Sequence, residues 1–159
     1  MKFISLILVV FAVSACSPTA ISSPVSSPTL TVQWSIEYIA TASVDALKQQ
    51  SPKEIASYLF DQWLNHSKAS EAPLRYRLED YQIREVELPE NLEALAKEQS
   101  VDFVAAVTFS VKPTQVPYSY WVAGNGTVTE EGWIKNKFLL VGVVEKDVIY
   151  KLSVIGTGP

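Results

Sequence analysis

Apolar and polar positions alternate from Val32 onward, with Val32, Trp34, Ile36, Tyr38 and Ala40 set against Thr31, Gln33, Ser35 and Glu37. A period of two predicts a strand over 32–40, with a helix as the alternative because Ile39 breaks the pattern. The period changes at Ser51. Ser51-Pro52-Lys53-Glu54 combines an N-cap serine, a proline at the first helical position and a glutamate at N3, so side chains can satisfy the orphan N–H groups of a helix start. On a 100° wheel Ile55, Ala56, Leu59, Phe60, Trp63 and Leu64 sweep one half, while Glu54, Ser57, Tyr58, Asp61, Gln62 and Asn65 occupy the other. This spacing predicts an amphipathic helix with a wide buried face, running to about Lys68. His66 and Lys68 near its end suit the negative pole of the helix dipole.

Between 74 and 88 the alternation jumps phase twice. Leu74, Tyr76 and Leu78 keep one parity, Tyr81 and Ile83 the other, and Val86 and Leu88 return to the first. A slip of one residue sends side chains to the wrong face, so each jump predicts a bulge in a bent strand. A short helix over 89–99 carries Leu92, Leu95 and Ala96. It leads to a strand over 101–111 with Val101, Phe103, Ala105, Val107, Phe109 and Val111 on one face, and Asp102, Val104, Ala106, Thr108 and Ser110 on the other.

Pro113 and Pro117 punctuate a turn before Tyr118-Ser119-Tyr120-Trp121-Val122, and Gly124-Asn125-Gly126 supplies the Asn-Gly pair of a two-residue hairpin turn. Strands over 133–145 and 148–155, turning at Lys146-Asp147, close the chain. Residues 138–144 are apolar on both parities apart from Gly142, which predicts a central strand covered on both sides.

Helices first and a meander last is an α+β pattern, with a long N-terminal amphipathic helix packed on a curved, mainly antiparallel sheet. Over roughly residues 51 to 156 this order resembles the nuclear transport factor 2-like and cystatin-like superfamily. The resemblance is one of topology and has no diagnostic motif. It implies a cone-like half-barrel wrapped around the helix, with room for a pocket inside.

The N-terminus carries an address. Lys2 precedes an eleven-residue run, Phe3 to Val13, in which only Ser5 is polar. That is too short to cross a bilayer, which takes about 20 residues, and it fits the apolar region of a signal peptide. Val13-Ser14-Ala15-Cys16, which holds the chain's one cysteine, resembles the lipobox of bacterial lipoproteins. The resemblance implies removal of 1–15 and a diacylglyceryl group on Cys16, often followed by a further acyl chain. Two chains give a stable anchor where one is marginal. The alternative is an ordinary secretory peptide cut near Ala15.

Residues 16–29 continue as a Ser/Pro-rich, uncharged tether, reaching roughly 40 Å at about 3.1 Å per residue. A single α+β domain follows over 30–159. In the family that carries the lipobox, an Asp after the cysteine can retain the protein at the inner membrane. Ser17 stands there instead, pointing to the outer membrane of a Gram-negative cell, or to the outer face of the cell membrane otherwise.

Composition bounds the rest. With 159 residues, 48% hydrophobic and 19% charged, the chain can fill one core. A net charge of −4 without a basic run argues against nucleic acid, whose phosphates need clustered cations. There is no Cys-x-x-Cys, His-Glu-x-x-His, glycine-rich phosphate loop or Gly-x-Ser-x-Gly elbow, so no cofactor, metal or catalytic set is assigned.

Three polar residues are pocket candidates. His66, the only histidine, falls at the edge of the helix's apolar face, as a base or ligand contact or as a helix-end residue shielded by Trp63. Asp102 lies on a mostly small, apolar strand face, and Glu79-Asp80 sits at the first phase jump; solvated edge charges account for both. Asn136 shares parity with Ile134, Phe138 and Leu140, so it either satisfies a bulge or lines a pocket. Tyr118, Tyr120 and Trp121 form a candidate partner-binding rim, since flat rings bury much area at low entropy cost.

These readings point to a membrane-anchored, non-catalytic binding or accessory module that meets an envelope protein partner. The alternatives are a small-molecule pocket of isomerase or dehydratase type, and a protease-inhibitor-like module using its hairpins as a wedge.

Overall fold

The computed structural model describes residues 39–157. The expected signal segment, Cys16, the expected tether and nearly all of the strand expected over 32–40 lie outside the described residues. The described chain starts with strand β1 (Ala40–Ser43), one turn of helix α1 (Val44–Leu47) and helix α2 (Pro52–Ser67). The expectation of a long N-terminal helix is therefore corrected. The 16-residue helix is preceded by a strand and a helical turn.

α2 starts where its capping box requires. The Ser51 backbone N–H donates to Glu54 Oε2 at 2.7 Å, and the Glu54 N–H donates to Ser51 Oγ at 3.4 Å. Its buried side is Ile55, Ala56, Leu59, Phe60, Trp63, Leu64 and Ser67, the half of the wheel that the apolar spacing marks out, extended by one serine. Ser67 Oγ donates to the Trp63 carbonyl at 3.0 Å, which removes the cost of burying its hydroxyl.

Next come β2 (Leu78–Glu87), a 3-10 turn (Glu90–Leu92), helix α3 (Glu93–Glu98) and β3 (Phe103–Pro113). A 3-10 turn (Tyr120–Val122), β4 (Thr127–Val128), β5 (Ile134–Lys146) and β6 (Ile149–Thr157) complete the fold. The sheet is antiparallel, ordered β1-β6-β5-β3-β2, with β4 added on β5.

Both phase jumps read from 74–88 are real. The β2–β3 register shifts between Leu78 and Asp80 and again between Ile83 and Glu85. Two more shifts follow, between Phe109 and Val111 of β3 against β5 and between Leu140 and Val141 of β5 against β6. Bulges bend a strand and increase its twist, so the interruptions curl the sheet into a half-barrel around α2, which packs on β1, β2, β3 and β6. The core between them is aromatic at its centre. Phe60 meets Trp63 at 5.5 Å and Phe109 at 5.0 Å between ring centroids, both edge-on as the ring quadrupoles favour.

Four local expectations are revised. β2 begins at Leu78, not at 74, because the Arg77 guanidinium donates to the carbonyls of Ala72 and Ser70 and folds the preceding segment into turns. Tyr118 to Val122 is not a hairpin arm, since Tyr120–Val122 is a 3-10 turn. The Asn125-Gly126 pair makes no two-residue turn; the left-handed positions there are Gly124 and Gly126, at φ 81° and 107°. The β5–β6 turn is centred one residue later than expected, on Asp147 and Val148, at φ 56° and 58°. β5 does occupy a central position, between β3 and β6. Its outward residues Phe138, Leu140 and Val144 are half-buried, so cover on that side is partial.

Candidate functional site

The bulge in β5 decides which side chains reach the concave face. Asn136 adopts φ 56°, a conformation that Asn tolerates better than most residues. One residue spent there reverses the parity of the strand. Ile134 is buried before it, and Lys137, Leu139, Val141 and Val143 are buried after it. The grouping of Asn136 with Ile134, Phe138 and Leu140 on the core face is thus corrected. Asn136 is exposed, and its Oδ1 accepts from Arg84 Nη1 at 3.2 Å.

The inward position goes to Lys137, which is only 3% exposed. Its Nζ donates to the backbone carbonyls of Ala123 at 3.0 Å and Asn125 at 2.8 Å. Burial pushes the ammonium below the usual lysine range, because a low-dielectric surrounding disfavours the charged form. The loop that supplies the carbonyls is held close by Gly126, where a Cβ would stand 2.9 Å from Lys137 Cγ. Lys137 lines a cavity of about 190 Å³ together with Tyr120, Trp121, Ala123, Gly124, Leu139 and Thr157. Sequence reasoning missed this lysine, since a Lys-Asn-Lys run reads as a solvated strand edge until the bulge is known.

The aromatic trio divides. Trp121 is 1% exposed; its Nε1–H donates to the Tyr76 carbonyl at 2.8 Å, and its ring lies 4.9 Å from that of Trp63. It belongs to the core. Tyr120 is 41% exposed, with its ring 4.9 Å from that of Tyr76, and burial raises its phenol above the ordinary range. Tyr118 is 81% exposed. The rim also includes Arg75, whose guanidinium sits 4.6 Å from the Tyr76 ring centroid, and these two residues were not foreseen. Backbone bonds tie the pieces together, with the Tyr120 N–H donating to the Arg75 carbonyl at 2.7 Å and the Trp121 N–H to Ser119 Oγ at 3.2 Å.

His66, Asp102 and Asn136 do not converge. His66 is half-buried in the last turn of α2, and its carbonyl accepts from the Ala69 N–H at 3.0 Å. Asp102 is exposed just before β3, where its Oδ2 accepts from the Glu145 N–H at 2.6 Å. It borders a groove of about 650 Å³ between α3 and the start of β3. Asn136 and Glu145 lie on one strand, roughly 30 Å apart at about 3.4 Å per residue. Glu79 and Asp80 are edge charges, paired with Lys112 at 2.7 Å and Lys68 at 3.1 Å. The Lys68 bond holds the Asp80 carboxyl below its usual range.

Among the described residues, no three His, Cys, Asp or Glu side chains are grouped to hold a metal ion. No helix among them is long and apolar enough to cross a membrane. Compared with known proteins, the chain matches no family model, no characterised protein and no solved structure.

Proposed function

We propose that this chain is a non-catalytic binding module, tethered to a bacterial membrane by acyl chains on Cys16, that meets another envelope protein through the rim around Tyr118 and Tyr120. The observation that carries the reading is the contrast within one short segment. Trp121 is locked in the core while Tyr118, three residues earlier, stands 81% exposed. A large exposed ring gives a partner much area to cover, and the residue three positions on fixes its segment to the core. Arg75 adds a cation beside the rings, and Tyr and Arg are the residue types enriched at interface centres.

The address deepens the reading. The lipobox resemblance at 13–16 and the Ser/Pro-rich stretch at 16–29 support a domain held outside the cytoplasm, in this proposal at the outer membrane of a Gram-negative cell or the outer face of the cell membrane otherwise. The half-barrel on α2 is, in this proposal, a variant of the cone of the nuclear transport factor 2-like and cystatin-like superfamily. The pocket reading built on His66, Asp102 and Asn136 is the weaker one, because the three lie on separate parts of the surface.

In cells making the full chain, a photo-crosslinking residue at position 118 is expected to trap one defined envelope protein. The same residue at Val148, 76% exposed at the β5–β6 turn, is expected to trap none. Equal labelling from both positions overturns the assignment of the rim. Cys16→Ala is expected to lose the acyl mass and leave the membrane fraction; retention of both removes the anchor from the proposal.

A further inference from the structure

We propose that Lys137 and the cavity it lines form a binding site for a small aromatic carboxylate. This goes beyond the partner reading and does not rest on it.

Buried charges in folded proteins are paired, because an isolated one is costly. Lys68 pairs with Asp80 and Lys112 with Glu79, whereas the Lys137 ammonium meets the backbone carbonyls of Ala123 and Asn125. A lysine ammonium has three donors. Two are taken by the carbonyls of Ala123 and Asn125, which orient the group and leave one N–H and the whole charge for a ligand.

The space next to it has a definite size. About 190 Å³ equals roughly six water molecules at about 30 Å³ each, which is room for one ring and its substituent and too little for a drug-sized ligand. The walls select the rest. Tyr120, Trp121 and Leu139 border it with aromatic and aliphatic carbon, while Lys137 is the one charged residue in the lining. A flat body with a single negative charge matches that set, and a second charge would be buried without a partner. The site is also pre-set. The Asn125 carboxamide fixes the loop on β5 through Phe138, so the ammonium is positioned before any ligand arrives and little ordering remains to be done.

The test uses the full chain, with benzoate as the probe and benzamide as its neutral counterpart, followed by calorimetry. Benzoate is expected to bind saturably and benzamide about tenfold or more weakly, because the charged contact is lost. Lys137→Met is expected to weaken benzoate by about tenfold or more and to abolish the preference over benzamide. Thr157→Trp, which keeps the ammonium and fills the cavity, is expected to abolish binding of both. Absence of saturable benzoate binding to the unaltered chain overturns the proposal, and so does unchanged affinity in a folded Lys137→Met. Should Lys137→Met fail to fold, the benzoate-to-benzamide ratio and Thr157→Trp decide: equal binding of the two probes, or undiminished binding by Thr157→Trp, overturns it.

Discussion

The Asn125 side chain satisfies the Phe138 backbone as a neighbouring strand would. Its Nδ2 donates to the Phe138 carbonyl at 2.9 Å, and its Oδ1 accepts from the Phe138 N–H at 2.8 Å. Both bonds stand at a position of β5 next to the bulge. The same residue's backbone carbonyl accepts from Lys137, so one asparagine joins the loop to the strand and the strand's lysine to the loop.

Asn125→Ala removes both side-chain bonds and leaves a partly buried backbone amide without its partner. Unpaired groups of that kind cost about 1–3 kcal/mol each, and a loss in that range is expected by urea denaturation. Asn125→Asp keeps the acceptor and loses the donor, so it is expected to fall between. A loss below 0.5 kcal/mol, the scale of an unremarkable surface change, would show that the loop is held by other contacts.

Core and rim are separable by mutation. Trp121→Ala empties a fully buried site and is expected to cost about 3–5 kcal/mol, a large share of the ~5–15 kcal/mol that a domain has. Tyr118→Ala is expected to stay within about 0.5 kcal/mol of the unaltered chain. The crosslinking site at 118 can therefore be altered without confusing binding with folding. Paired urea melts check this, and a large loss in Tyr118→Ala would move that ring from the rim into the packing.

The β5–β6 turn carries strain. A β-branched residue at φ 58°, as Val148 is, pays a steric cost of about 1–2 kcal/mol that glycine does not. Asp-Gly is the pair that two-residue hairpin turns with left-handed centres prefer. Val148 is exposed and gives up little packing. After allowing about 0.5–1 kcal/mol for the extra freedom of unfolded glycine, Val148→Gly is expected to raise the urea midpoint modestly. A lowered midpoint would show that the valine side chain is making contacts that outweigh the strain.

Alkaline pH should loosen the helix from the sheet. Burial and the hydrogen bond from Tyr81 Oη to Asp61 Oδ1, at 2.8 Å, raise the Tyr81 phenol well above its ordinary value. The folded state therefore holds this proton more tightly than the unfolded state does. Its contribution is complete below the unfolded phenol pKa of about 10 and is lost as pH rises through the folded value. Tyr120 and Tyr150 act in the same direction, and Lys137, whose pKa is lowered, acts in the opposite one. Comparing Tyr81→Phe with the unaltered chain isolates one term: the stability gap between them is expected to shrink as pH rises above about 10. A gap that stays constant would remove Tyr81 from the alkaline dependence.

Local chemistry was legible in the sequence. The N-cap of α2 and its buried half follow from residues within four of each other, as do both bulges of β2, because a strand's side-chain period is strict enough that a slip shows in the pattern itself. The α+β class follows from the order of such segments. The candidate site was not legible in the same way. The Asn136 bulge falls in a stretch, Lys135-Asn136-Lys137, where polar residues occupy both parities and leave no apolar phase to jump. Only the pairing of β5 with β3 shows which side turns inward, and with it that a lysine is buried while the asparagine faces solvent. Likewise nothing local separates Tyr118 from Trp121. Three residues of chain put one ring in water and the other against Trp63, because α2 and the Tyr76 carbonyl, distant in sequence, meet there in the folded protein.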